Sequence, residues 1–162
     1  MTILGIEEIT YGASDLATCE RFFLDWGLTL LHSDDSRRVF ECLNGCRVIV
    51  ADPARCALPA AMEAGPTLHE VVWGVASADE LAAVAQRLQG QPGFVQGVFD
   101  GFARVGCTDP NGLAFKVQVS TKRAIDVASA RYNTWSRKDR IDQRAPAYDR
   151  AQPIEVGHVV FF

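Results

Sequence analysis

The chain has 162 residues, a net charge of −4 at neutral pH and 48% apolar residues. A chain of this size buries roughly two thirds of its unfolded surface, so it can form a core without disulfides or a structural metal. The negative charge disfavours nucleic acid as a partner, and no apolar run reaches the ~18 residues of a membrane span. Five cysteines, an odd number without a signal peptide, indicate reduced thiols and a cytoplasmic location.

The chain opens with the pattern of a strand followed by a helix. Residues 6–13 predict a strand, and Ser14 or Asp15 can cap a helix whose apolar positions recur at helical spacing as far as Trp26. Gly27 suits the end of that helix. Three short strands are then predicted at about 28–32, 37–43 and 46–51, with Asn44-Gly45 as the last turn. Cys42 and Cys46 flank that turn, and no second cysteine pair completes a zinc site.

The same order of elements returns in the second half of the chain. Residues 70–75 predict a strand, Ser77 to Glu80 has the pattern of a capping box, and Gly90 suits the helix end. Strands follow at about 94–99, 102–107 and 113–119. The segment EITYG at Glu8 also resembles EVVWG at Glu70. We therefore predict an α+β domain of two paired βαβββ modules, at about 1–52 and 66–120, with an open eight-stranded sheet around a cleft.

The remaining residues differ in composition from this duplicated part. Residues 121–153 carry eight Lys or Arg against four Asp, with a short helical pattern near 122–132. This composition predicts a basic linker or surface arm, either simply solvated or holding an anion. Residues 154–162 form a new apolar stretch, which we interpret as the first strand of a further module or a strand that pairs with another sheet edge.

The duplicated modules, the Ser or Asp before the first helix and the turn Asp109-Pro110-Asn111-Gly112 before the last strand resemble the vicinal oxygen chelate superfamily. That superfamily includes glyoxalase I, bleomycin-resistance proteins and type I extradiol ring-cleavage dioxygenases, and the resemblance covers residues 1–120. Three further segments resemble the linker into the catalytic half of two-domain extradiol-dioxygenase-like proteins. They are Arg131-Tyr132-Asn133, Arg140-Ile141-Asp142 and Gly157-His158-Val159.

The resemblance assigns metal-ligand positions to particular residues. In the first domain these positions are Glu8, Ile49, Glu70 and Lys116. A non-haem iron dioxygenase requires two histidines and a carboxylate on one face, and a protonated lysine cannot bind a metal. We therefore expect no metal in the cleft of this chain. His158 matches the first iron ligand of the second domain, which implies Fe(II) in a full-length protein.

Strand alternation predicts which side chains share the concave face of the sheet. The set is Glu8, Thr10, Arg47, Ile49, Glu70, Val72, Lys116 and Gln118. Two carboxylates facing cations predict either a charge-compensated structural core or a pocket for a small polar or anionic ligand. His69 is one residue away from a ligand position and is expected on the opposite face, and His32 is expected to be exposed.

Three functions are compatible with these residues. The first is the metal-free N-terminal domain of an extradiol dioxygenase-like protein, inactive alone, whose partner is a catalytic C-terminal domain or a second copy. The second is a stand-alone binding module for a small aromatic ligand or drug, like the bleomycin-resistance proteins. The third is a glyoxalase-like metal lyase or isomerase using Glu8 and Glu70, which Lys116 disfavours.

Overall fold

A computed structural model describes residues 2–126, 133–139 and 149–160. Its two helices and eight strands confirm the predicted α+β class with two βαβββ modules. The first module contains β1 (Ile3–Gly12), α1 (Leu16–Asp25), β2 (Thr29–Ser33), β3 (Arg37–Glu41) and β4 (Arg47–Ala51). The second contains β5 (Thr67–Val75), α2 (Ala78–Leu88), β6 (Val95–Phe99), β7 (Phe102–Thr108) and β8 (Ala114–Val119).

All eight strands belong to one mixed sheet, in the order β2-β3-β4-β1-β5-β8-β7-β6. The two modules meet at the centre, where β1 runs antiparallel to β5. On either side, β4 runs parallel to β1 and β8 runs parallel to β5. Both helices cover the same face of the sheet, with α1 on Ile9 and Val48 and α2 on Val105 and Val117. The opposite face is therefore left to form a cleft.

Each helix begins at an acidic or hydroxyl cap. The Asp15 carboxylate accepts a hydrogen bond from Thr18 N at 2.9 Å, so Asp15 rather than Ser14 is the cap of α1. Ser77 Oγ accepts from Glu80 N at 3.2 Å at the start of α2. The Glu80 carboxylate accepts from Ala76 N at 3.0 Å, one residue before the cap. The predicted capping box thus forms with one difference: the Glu80 side chain accepts from the N–H of Ala76 instead of that of Ser77.

The two central strands are longer than their apolar patterns predicted. β1 starts at Ile3 instead of residue 6, and β5 starts at Thr67 instead of residue 70. The pairing runs from Ile3 opposite Val75 to Gly12 opposite Thr67. Each strand therefore receives hydrogen bonds from its partner over residues that have no alternating pattern of their own.

The last described segment, residues 149–160, lies against the β3–β4 hairpin. Leu43 N donates to Pro153 O at 3.0 Å and Asn44 N donates to Ile154 O at 3.1 Å. Val156 and Val159 pack against the core of the first module. The segment contains no strand of the sheet, so the interpretation of residues 154–162 as the start of another module stays a prediction.

The linker differs from its sequence pattern where the structure describes it. Residues 121–126 are not helical, and the rest of the helix predicted near 122–132 falls on residues 127–132, outside the described residues. Arg131-Tyr132 and Arg140-Ile141-Asp142 also lie outside them. No described helix is long and apolar enough to cross a membrane.

Candidate functional site

The four positions assigned from the resemblance come together in one cleft on the face without helices. Glu8, Ile49, Glu70 and Lys116 all line this cleft, whose volume is about 180 Å³. The pairing registers make the two modules equivalent here. Ile49 lies two residues beyond the partner of Glu8, and Lys116 lies two residues beyond the partner of Glu70. The cleft is thus built on the local symmetry of the duplication.

Glu8 is held by an arginine from the other module. Arg104 Nη1 and Nη2 donate to the two Glu8 carboxylate oxygens at 2.8 and 3.0 Å. Arg104 Nε donates to Gln118 Oε1 at 2.8 Å, and the Arg104 and Glu8 side chains are only 2% and 3% exposed. Arg104 lies on β7 and Glu8 on β1, with β8 and β5 between them, so the two side chains meet over the concave face of the sheet. The resulting two-point ion pair ties the modules together inside the concave face.

Glu70 is held by Lys116. Lys116 Nζ donates to Glu70 Oε2, and the two side chains are 15% and 9% exposed. The ammonium also lies 4.7 Å from the centre of the Phe99 ring, within the range of a cation–π contact. Each cleft carboxylate thus has its own cation, Arg104 for Glu8 and Lys116 for Glu70.

Arg104 is the residue that the sequence analysis of the concave face missed. In the β7–β8 register Gly106 lies opposite Lys116 and Arg104 lies opposite Gln118, so Arg104 shares the face of both cleft residues. Alternation along residues 102–107 could have placed it there. The duplication gives a second indication of this position. Arg37 is the equivalent residue of the first module, since it lies opposite Ala51 as Arg104 lies opposite Gln118.

Arg37 occupies the mouth of the cleft instead of its floor. Its Nη1 donates to Asp100 Oδ1 at 3.2 Å, and both side chains are exposed. Asp100 belongs to the turn between β6 and β7 and has φ of +49°. Since exposed ion pairs contribute little, this pair links the two modules weakly compared with Arg104 and Glu8.

The remaining predicted residues surround these pairs. Thr10 lines the cleft, Val72 is fully buried, and the Arg47 guanidinium lies 5.0 Å from the centre of the Phe102 ring. His69 is buried, and its Nδ1 is 2.7 Å from the carbonyl oxygen of Pro59, a residue that lines the cleft. His32 is exposed and pairs with Asp34 at 2.7 Å. This contact, with further hydrogen bonds from Ser36 and Arg37, lowers the pKa of Asp34 below its usual range.

The cleft residues do not fit a divalent metal. Both oxygens of Glu8 accept from Arg104, Lys116 donates to Glu70, and Ile49 has no donor atom. A metal would have to displace both cations from partly or fully buried carboxylates, leaving those cations unpaired. Among the residues that the structure describes, no group of three or more His, Cys, Asp or Glu could hold a metal ion.

His158 lies on the other side of the sheet from the cleft. It is exposed and borders a hollow of about 610 Å³ between α1, the helix-facing side of β1 and β4, and residues 153–158. The hollow is lined by aromatic residues together with a few polar groups. The aromatic residues of the lining are Tyr11, Phe22, Phe23 and Trp26.

Solved structures with the same fold include, by their names, one Mn(II)-bound glyoxalase and two dioxygenases. The Mn(II)-bound glyoxalase from Novosphingobium aromaticivorans matches with a TM-score of 0.62 at 18% identity, over 78% of this chain and 42% of that chain. The halotolerant catechol dioxygenase BphC matches with a TM-score of 0.57 at 12% identity, over 73% and 40%. Homoprotocatechuate 2,3-dioxygenase from Arthrobacter globiformis matches with a TM-score of 0.55 at 17% identity, over 75% and 38%.

These similarities concern the fold. No protein-family model matches the sequence, and no curated protein matches it. The chain spans between 38% and 42% of the length of the three solved structures above. At such low identities, the shared fold confirms the architecture expected from the sequence and leaves the chemistry to the residues of the site.

Proposed function

Because the chain has the vicinal oxygen chelate fold, we propose that it is the metal-free N-terminal domain of an extradiol dioxygenase-like protein. The observation that carries this proposal is the pair of buried ion pairs at the ligand positions. Arg104 on Glu8 and Lys116 on Glu70 supply positive charge where metal-binding members of the fold place an ion. The cleft then has a structural role, since it holds two modules together without a cation from solution.

The chemistry of such a protein would reside outside this domain. His158 would be the first Fe(II) ligand of a catalytic domain, completed by a later histidine and a later glutamate, and the substrate would be a catechol. The described residues provide no such ligand set, so the chain alone is expected to be inactive. We propose that its partner is that catalytic domain or a second copy of the chain. The five free cysteines favour a reducing cytoplasm for both.

The direct test of this proposal is the metal content of the purified chain. After anaerobic incubation with Fe(II), Mn(II) or Zn(II) and removal of loosely bound metal, elemental analysis is expected to find far less than one ion per chain. The matched control is Glu8→Ala, which frees Arg104 and removes one carboxylate. One metal per chain in the original protein that is lost in Glu8→Ala would contradict a metal-free cleft and would favour the glyoxalase-like alternative.

A second candidate function is suggested by the hollow beneath α1. Small-molecule sites usually have volumes of about 300–1,000 Å³ and mainly apolar walls, and this hollow meets both conditions while the cleft is too small. Its aromatic walls suit a small planar aromatic ligand. The chain would then be a binding module in its own right.

Tryptophan fluorescence tests the second candidate because Trp26 lines the hollow. If the hollow binds such ligands, titration with catechol or indole should quench part of the emission saturably. The saturable part should vanish in Trp26→Phe, which keeps an aromatic side chain in the wall of the hollow. Trp73 and Trp135 still fluoresce in this variant. Quenching that is linear in ligand, or unchanged in Trp26→Phe, would count against binding in the hollow.

A further inference from the structure

Residues 150–158 run along the first module and form one wall of the hollow beneath α1. Five of them, Pro153 and residues 155–158, line the hollow together with the aromatic residues. These residues belong to no strand, and Val156 packs against the core of the first module. The other walls belong mainly to α1, β1 and β4, so the hollow keeps this last wall only while residues 150–158, which we call the strap, stay docked.

The strap is docked on the turn between β3 and β4 by a small number of polar contacts. Leu43 N donates to Pro153 O at 3.0 Å. Asn44 N donates to Ile154 O at 3.1 Å, and Asn44 Nδ2 donates to the Glu155 carboxylate at 3.1 Å. These contacts are few compared with the continuous hydrogen-bond ladder of the sheet. The strap can therefore open locally while the sheet stays folded.

Gly27 leaves room for the strap at the end of α1. The Arg150 guanidinium donates to Leu24 O in the last turn of this helix, and a Cβ atom at Gly27 would lie 1.9 Å from Ala151 O. Atoms do not approach so closely, so a side chain at Gly27 would displace the strap. Gly90 follows α2 as Gly27 follows α1, and both have positive φ, +83° and +101°. A Cβ atom at Gly90 would have no neighbour within 4 Å among the described residues.

We propose that the strap is the closing wall of the hollow, and that a bound aromatic ligand and the docked strap stabilise each other. This inference rests on the second candidate function, in which the hollow binds a small planar aromatic molecule. A ligand that touches Pro153 and Val156 makes these apolar contacts only when the strap is docked, so it binds the docked form more tightly. By linkage, the ligand favours docking by the same factor by which docking favours the ligand.

Amide hydrogen exchange followed by NMR measures docking of the strap directly. The amide protons of Leu43 and Asn44 are bonded to strap carbonyls, so their exchange reports opening of the strap, whereas the amides of β5 report unfolding of the sheet. Gly27→Ala should speed exchange at Leu43 and Asn44 relative to β5 by about tenfold, a factor expected for the loss of two ordinary hydrogen bonds.

Gly90→Ala is the matched control for this measurement. It places a side chain at the same kind of helix end, where the structure describes no strap, so exchange at Leu43 and Asn44 should stay unchanged relative to β5. Equal effects of Gly27→Ala and Gly90→Ala would overturn the role of Gly27 in docking. Exchange at Leu43 and Asn44 no faster than at β5 in the unmodified protein would overturn a strap that opens by itself.

Indole tests the coupling between ligand and strap. Saturating indole should slow exchange at Leu43 and Asn44 in the unmodified protein about tenfold, the factor that burial of roughly two methylene groups supplies. Titration calorimetry should find that indole binds Gly27→Ala weaker by that same factor and Gly90→Ala with unchanged affinity. The exchange measurement needs no variant, so it decides the coupling even if Gly27→Ala fails to fold.

The outcomes separate this inference from the function on which it rests. Saturable binding of indole that leaves exchange at Leu43 and Asn44 unchanged would overturn the coupling, although the hollow would remain a binding site. Equal affinity of indole for Gly27→Ala and the unmodified protein would do the same. No saturable binding of indole to the unmodified protein would overturn the second candidate function, and with it the effect of a ligand on the strap.

Discussion

Arg104→Met should lower the free energy of unfolding by about 3–5 kcal/mol, the usual cost of removing one partner from a buried ion pair. The reason is that the Glu8 carboxyl is left without its ion-pair partner in a site that is 3% exposed, where Arg104 donates to both of its oxygens. Gln118 also loses the donor that its side-chain oxygen now accepts from. Chemical denaturation at neutral pH measures the loss directly.

The duplication supplies a matched control for this experiment. Arg37 holds the equivalent position in the first module, but its partner Asp100 is exposed. Arg37→Met should therefore cost less than about 1 kcal/mol. Adding Glu8→Gln to Arg104→Met should recover much of the loss, because the unpaired charge is then gone. Equal effects of Arg37→Met and Arg104→Met would mean that the Glu8 pair is not a buried structural element.

Lys116→Met should lower the free energy of unfolding by about 2 kcal/mol, a value between those of exposed and fully buried pairs. The Lys116 and Glu70 side chains retain 15% and 9% exposure, so water can partly solvate the Glu70 charge after the change. The loss of the contact between the ammonium and the Phe99 ring adds to the effect.

A double-mutant cycle identifies the partner of Lys116. Adding Glu70→Gln to Lys116→Met should cancel most of the loss, whereas adding Glu8→Gln should not, because Arg104 satisfies Glu8. Zero coupling with Glu70 would show that Lys116 is merely solvated. Equal coupling with both glutamates would show that one lysine serves the whole cleft, contrary to the contacts of Arg104.

Together these two ion pairs place positive charge beside both carboxylates of the cleft. Two carboxylates that face one another in a closed cleft repel each other unless positive charge lies between or beside them. In this chain that charge is covalently part of the protein and comes from the second module in both cases. The pair between Arg104 and Glu8 therefore also links the two modules to each other.

Much of the architecture follows from local sequence. Period-2 and period-3.6 apolar patterns, the caps before each helix and the Asn-Gly turns are properties of neighbouring residues, and they predicted two βαβββ modules with eight strands. Strand alternation also placed Glu8, Ile49, Glu70 and Lys116 on one face. That inference needs no knowledge of the partner strands, because alternation is a property of each strand alone.

Only the tertiary structure decided which charges meet. Alternation predicts on which face of the sheet a side chain lies but not which partner it meets. Arg104 meets Glu8 although two strands lie between β7 and β1. The starts of β1 and β5 likewise depend on pairing between modules and have no local pattern. The docking of residues 153–156 on the hairpin depends on backbone groups that every residue possesses. Sequence determined the elements and their faces, and long-range geometry decided the ion pairs and the docked segment, because these involve residues far apart in the chain.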